Sequence, residues 1–133
     1  MTKQIMLFGN KSGQPARTRF ILETLGSNVI EEAHWLDGLN AAATLHPDLI
    51  LIETWQPDIN TLEFCKALKR NLQTRFIPII MYSDESDSKA ILTAYNYGVD
   101  YYIVKSSEAE IELPLFLKVA LSRVSQRLLQ ATA

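Results

Sequence analysis

The chain has 133 residues, 47% hydrophobic and 21% charged, which is the size and composition of one globular domain and excludes both wholesale disorder and two ordinary domains. A net charge of -2, with basic residues that form no long patch, gives no electrostatic attraction for nucleic acid, so DNA binding would need another domain. A single cysteine excludes an internal disulfide, and no apolar run approaches membrane-spanning length or the form of a signal peptide, so a cytoplasmic protein without membrane contact is expected.

Taken in order, Ile5 to Phe8 is a short apolar run without alternation, as in a strand buried on both faces. The loop Gly9-Asn10-Lys11-Ser12-Gly13 follows, and Pro15 opens a helix whose apolar residues are Phe20, Ile21, Leu22 and Leu25, stopped by Gly26. Asn28 to Ala33 reads as a weaker edge strand, its Val29 and Ile30 followed by Glu31 and Glu32. Asp37 is the expected N-cap of a second helix that Pro47 closes. The run Leu49 to Ile52 is a third, buried strand ending in Glu53, and Asn60 with Glu63 reads as the capped start of a third helix. Cys65, at helical spacing between Leu62 and Leu68, is expected to be a buried, inert thiol.

Phe76 to Tyr82 reads as the fourth strand, with Pro78 near its beginning and Ser83 at its end. A helix from about Ser86 to Gly98, a fifth strand from Tyr101 to Val104, Lys105, and a last helix from Pro114 to about Leu129 complete the chain. Five strands alternating with five helices predict a doubly wound α/β domain with a parallel sheet of order 2-1-3-4-5. That topology brings Asn10, Glu53, Ser83 and Lys105 to the carboxyl edge of the sheet, where ligands bind in open α/β folds. A carboxylate beside an ammonium and a hydroxyl suits phosphoryl chemistry, and it equally suits a structural ion pair across the sheet end.

The chain resembles the receiver domains of two-component response regulators, a flavodoxin-like fold, over nearly its whole length. The matching segments are Pro47 to Ile52 before the acceptor position, Pro57 in the next loop, Ile77 to Met81 before Ser83, and Gly98 to Lys105. The resemblance implies a non-enzymatic signalling module that takes phosphate from a histidine kinase onto an aspartate with the help of magnesium. It puts the phosphoacceptor position at Glu53, the acidic metal-binding pair at Gly9 and Asn10, the switch residues at Ser83 and Tyr102, and the family's lysine at Lys105. The proline after that lysine is Ser106 here, which puts the family's cis peptide in question.

These departures set the expectations. With both acids of the pair gone, magnesium binding is expected to be weak or absent, because that ion is usually held through carboxylates. Glu31 and Glu32, on the edge strand, are the nearest candidates to compensate. Glu53, one methylene longer than aspartate, could pair with Lys105 and accept a hydrogen bond from Ser83, imitating a phosphorylated receiver, or the site could simply have decayed. A pseudo-receiver working through protein contacts is therefore weighed against a receiver phosphorylated by an altered route and against a small-anion module using the Gly9 to Gly13 loop.

Partners implied are a histidine kinase or an output domain. Tyr95, Tyr97 and Tyr101, together with Tyr102, mark a candidate partner surface. Leu117, Leu121, Val124 and Leu128 follow a short coiled-coil spacing, so residues 114–133 could form a homodimer contact or a connector, and could equally pack on the sheet. His46 precedes the third strand and cannot meet Ser83, and His34 follows the edge strand, so a catalytic triad is not expected.

Overall fold

The structure, a computed structural model, describes residues 2–9 and 15–132, the side chains at 15, 109, 110 and 123–132 excepted. Five strands, β1 (Gln4–Gly9), β2 (Asn28–Glu32), β3 (Leu49–Thr54), β4 (Ile79–Ser83) and β5 (Tyr101–Val104), alternate with five helices. The helices are α1 (Pro15–Thr24), α2 (Trp35–Leu45), α3 (Ile59–Arg70), α4 (Ser88–Asn96) and α5 (Ala109–Thr132). Every strand pair is parallel and the order is β2-β1-β3-β4-β5, as the alternation of elements predicted.

The alternation of side chains along each strand divides the core in two. Met6, Phe8, Ile50, Ile52, Ile79 and Met81 pack on one face of the sheet against Ala42, Phe64, Cys65, Leu68 and Ala94 of α2, α3 and α4. Ile5, Leu7, Leu49, Leu51, Ile80, Tyr82 and Ile103 pack on the other against Ile21, Leu22, Leu113, Leu117 and Ala120 of α1 and α5. All of β3 and β4 is buried, whereas β2 at the edge is only partly so, which is why its sequence carries Glu31 and Glu32.

Several boundaries differ from those read in the sequence, each for a local reason. The N-cap of α3 is Asp58, in extended geometry, whose Oδ1 accepts the Thr61 N–H at 2.8 Å; the helix therefore starts ahead of Asn60, and Glu63 is no part of its cap. Asp37 lies in the first turn of α2, next to the positive end of the helix dipole, and His34 holds the cap position without a side-chain bond. His46, in the left-handed region at φ 48, ends that helix before Pro47 is reached.

β4 begins at Ile79 because Phe76 and Ile77 belong to the turn after α3, where Ile77 N–H bonds to Thr74. Pro78, lacking an N–H, joins the ladder only by its carbonyl, which accepts from Ile50. α4 is shorter than expected and stops at Asn96. Gly98 follows at φ +105, and a Cβ there would lie 2.6 Å from Lys69 Cγ. That close approach lets Lys69 Nζ reach Asp100 at 2.7 Å and the Ile77 carbonyl at 3.1 Å, while the same Asp100 oxygen accepts the Ile79 N–H. α5 starts five residues before Pro114, which sits inside it at the cost of one helical hydrogen bond.

Cys65 is fully buried in α3, and that burial pushes its thiol up to about 12. The folded protein should leave a disulfide-exchange reagent unreacted near neutral pH and consume one equivalent when unfolded in urea; fast labelling of the native protein would contradict this packing.

Candidate functional site

Glu53 is the next-to-last residue of β3 and continues the parity of Leu49 and Leu51, so its carboxylate enters the α1 and α5 side of the sheet end. It is 2% exposed. An ionised carboxylate can only accept hydrogen bonds, and a buried one needs donors. Thr18, buried in α1, donates its hydroxyl to Oε1 at 2.5 Å, and Lys105 places Nζ 2.9 Å from Oε2. Lys105 Nζ also lies 3.5 Å from Asp84 Oδ2 and 5.3 Å from the centre of the Tyr82 ring. The chain of contacts from Asp84 through Lys105 and Glu53 to Thr18 crosses the carboxyl edge of the sheet. No buried side-chain polar atom among the described residues lacks a partner. A cavity of about 350 Å³ opens over this edge, bounded by α1 at Arg17 and Ile21, by Trp55, and by Ser106 and Ser107.

Ser83 does not join it. In the β3–β4 register Glu53 lies beside Tyr82, and Ser83 lies beside Thr54, one residue on and therefore on the opposite face. The Ser83 hydroxyl donates to the Trp55 carbonyl at 3.1 Å and its oxygen accepts the Glu85 N–H at 3.1 Å, tying the loop after β3 to the loop after β4. The expected bond from Ser83 to Glu53 is thus replaced by one from Thr18. Tyr102, half-buried on the same face as Ser83, donates its hydroxyl to the Glu85 carbonyl at 2.7 Å.

Tyr95 covers the outer edge of β5, its hydroxyl accepting the Tyr102 N–H at 2.9 Å, and the Tyr97 ring stands 5.6 Å from Lys66 Nζ. Tyr101 has the other parity and packs on the α1 and α5 side, so the four tyrosines do not share one surface. Gly9 is the direct neighbour of Glu53 across the β1–β3 ladder and brings no side chain to it. Asn10 and the rest of the loop through Gly13 lie outside the described residues, as do the side chains of Val124 and Leu128.

Glu31 is engaged with Arg19 at 3.1 Å. His34 and His46 hold the cap positions of α2: His46 precedes β3 at the opposite edge, and His34, at the carboxyl edge after β2, lines a different cavity with Phe8 and Asp58. No described peptide bond is cis, Lys105–Ser106 included.

Two residues of the site escaped sequence reasoning. Thr18 precedes Ile21 by three and Leu22 by four, so a polar residue on the buried face of α1 was the available signal. Asp84 follows Ser83 directly, in the loop after β4, where no hydrophobic pattern marks which way its side chain turns.

An open parallel sheet with a buried acid and a lysine at its carboxyl edge defines a receiver-type signalling domain. The chain belongs to the response regulator receiver domain family, whose model matches residues 10–113. It is 35% identical over 100 residues to the response regulator ArlR of Staphylococcus aureus, an alignment that covers 75% of this chain and 44% of that protein. The chain thus spans less than half the length of the curated relatives it matches.

Among solved structures it resembles a response regulator from Desulfuromonas acetoxidans, at TM-score 0.76 and 27% identity over 90% of this chain and 97% of that one. A CheY-like receiver domain protein from Methanospirillum hungatei matches at TM-score 0.77 and 23% identity, over 96% and 99%. The receiver domain of the sensor histidine kinase PA1611 from Pseudomonas aeruginosa, which has magnesium coordinated in its active-site cleft, matches at TM-score 0.76 and 18% identity, over 92% and 99%.

Burial raises the pKa of the Tyr82 phenol, and the nearby Glu53 charge raises it further. Because the folded value lies above the ordinary 10, the stability linked to neutral Tyr82 is intact below that pH and is lost as the pH rises through the raised value. Glu53→Gln should bring the Tyr82 transition down, part-way to its ordinary position, in a titration followed by the tyrosine ring carbon signals. An unmoved transition would mean that the Glu53 charge does not face Tyr82.

Proposed function

We propose that this receiver domain signals through protein contacts and does not turn over phosphate, with Glu53 supplying a permanent charge at the acceptor position. The observation that carries this reading is the buried Glu53 carboxylate, held by Thr18 on one oxygen and by Lys105 on the other. A carboxylate so engaged is a poor nucleophile toward a phosphoryl donor, and its charge already occupies the lysine that would receive a phosphoryl oxygen.

Magnesium fits this donor set badly. The ion requires several oxygen lone pairs converging at about 2.1 Å, whereas Lys105 stands against one Glu53 oxygen, Asp84 leans on the same lysine, and Gly9 offers no side-chain ligand. Among the described residues no three histidine, cysteine or acidic side chains converge. Weak or absent magnesium binding is therefore part of the proposal, and so is a non-enzymatic role.

A histidine kinase or an output domain is the partner class that fits the family. The face of β5 and α4 that carries Tyr95 and Tyr102 is one surface such a partner could read. The outward stripe of Ile111, Leu115 and Val119 on α5, 66%, 62% and 48% exposed, favours a helix contact, and a second copy of the chain is the proposed occupant. No helix among the described residues is long and apolar enough to cross a membrane.

The decisive experiment is intact mass after incubation with acetyl phosphate and magnesium, with a parallel magnesium titration followed by the fluorescence of the exposed Trp55. The expected result is no phosphoryl adduct and no titration, against recovered metal binding in a variant combining Gly9→Asp, Asn10→Asp and Glu53→Asp. An adduct on the native chain would overturn the proposal in favour of phosphorylation by an altered route. Inorganic phosphate bound without metal would favour the anion-module reading instead.

A further inference from the structure

Glu53 and Ser83 stand on adjacent strands at the same edge of the sheet, yet on opposite faces, because their positions differ by one in the β3–β4 register. A hydroxyl has one proton to donate. The proton of Ser83 goes to the Trp55 carbonyl, and that of Thr18 goes to Glu53. Thr18 is itself 3% exposed and belongs to the middle of α1, so its hydroxyl is aimed by the packing of Ile21 and Leu22 on the sheet. The Ser83 side is closed on itself. Trp55, Ser83, Glu85 and Tyr102 form a chain of hydrogen bonds, 3.1, 3.1 and 2.7 Å long, that includes no carboxylate oxygen of Glu53.

We infer that Thr18 is the positioning residue of this site: it holds the Glu53 carboxylate toward α1, so that the charge at residue 53 is read by α1 and the loop after β5, and not by the Ser83 and Tyr102 side of the sheet. This deepens the proposed function and rests on its reading of Glu53 as a permanent charge. The chemistry is specific. Oε1 needs a donor on the α1 face, which valine at position 18 would fill in shape without supplying a proton, and which serine would still supply. Loss of that donor takes one hydrogen bond from a buried carboxylate oxygen and weakens the hold on the α1 side, while Lys105 remains on Oε2.

The experiment is a comparison of amide and tyrosine-ring chemical shifts in the full chain for wild type, Glu53→Gln, Thr18→Val and Thr18→Ser. Glu53→Gln should move the signals of Arg17 to Leu22, Tyr82 and Lys105 to Ser107, and leave Tyr95, Tyr102 and Glu85 close to their wild-type positions. Thr18→Val should reproduce that pattern at Tyr82 and at Lys105 to Ser107, across the cavity they line together, and Thr18→Ser should restore wild-type positions there.

The inference is overturned if Glu53→Gln moves Tyr102 and Glu85 while α1 stays still. It is equally overturned if Thr18→Val leaves Tyr82 and Lys105 unmoved, or if the serine variant is as perturbed there as the valine variant. Should Thr18→Val fail to fold, Thr18→Ala, which also removes the donor, takes its place in the same comparison with the same expected and overturning outcomes. A phosphoryl adduct in the mass experiment would defeat the parent reading and leave this map of shifts intact, so the two failures are distinguishable.

Discussion

A carboxylate taken out of water at the end of the central strand is the constraint from which the site follows. Burying an unpaired carboxylate costs several kcal/mol even after relaxation, and Glu53 is almost fully buried. The fold meets that demand with a cation from the loop after β5 and a hydroxyl from α1, so two parts of the chain distant in sequence from β3 are drawn to one side chain. Lys105 is held in turn by Asp84 and stands near the Tyr82 ring. An edge that in a parallel sheet ordinarily receives a ligand is here occupied from within.

The two-sided sheet then decides what that charge can influence. Odd-numbered positions of β3 face α1 and α5, and even-numbered positions face α2, α3 and α4. Glu53 falls in the first set and Ser83, through its pairing with Thr54, in the second. The hydroxyl of Ser83 accordingly bridges two loops, and Tyr102 fastens one of them through the Glu85 carbonyl. A charge and a switch hydroxyl can share a sheet edge and still belong to separate networks. At the opposite edge Lys69 and Asp100 make a second pair that fixes the entry of β4, and the missing side chain of Gly98 gives Lys69 its room.

Much of this was legible in the sequence. The buried runs Ile5 to Phe8 and Leu49 to Ile52, the alternation with helices and the short connections define the topology, because parallel strands buried on both faces leave an unmistakable apolar signature. Glu53 at the end of such a run, and its pairing with Lys105, could be read from topology alone.

Helix starts were less legible. Asp58 and Asn60 are both capping residues, two positions apart, and only backbone geometry separates them. The Thr18 contact was hidden for a different reason: a threonine on an apolar helix face is as often satisfied by its own backbone as by a distant acid. The partner of Ser83 depended on the register between strands, in which Ile50 and not Leu49 lies opposite Ile79, and parity within each strand does not reveal that offset.

The most direct measurement of the account is a double-mutant cycle between Glu53 and Lys105, read by urea unfolding. If the pair is the constraint described, Lys105→Met destabilises the protein by about 3 kcal/mol in the native background, because Glu53 is left buried without its cation. In the Glu53→Gln background the same substitution should cost less than about 1 kcal/mol. An equal cost in both backgrounds would mean that the two charges do not depend on each other, and the account of the site as internally occupied would be wrong.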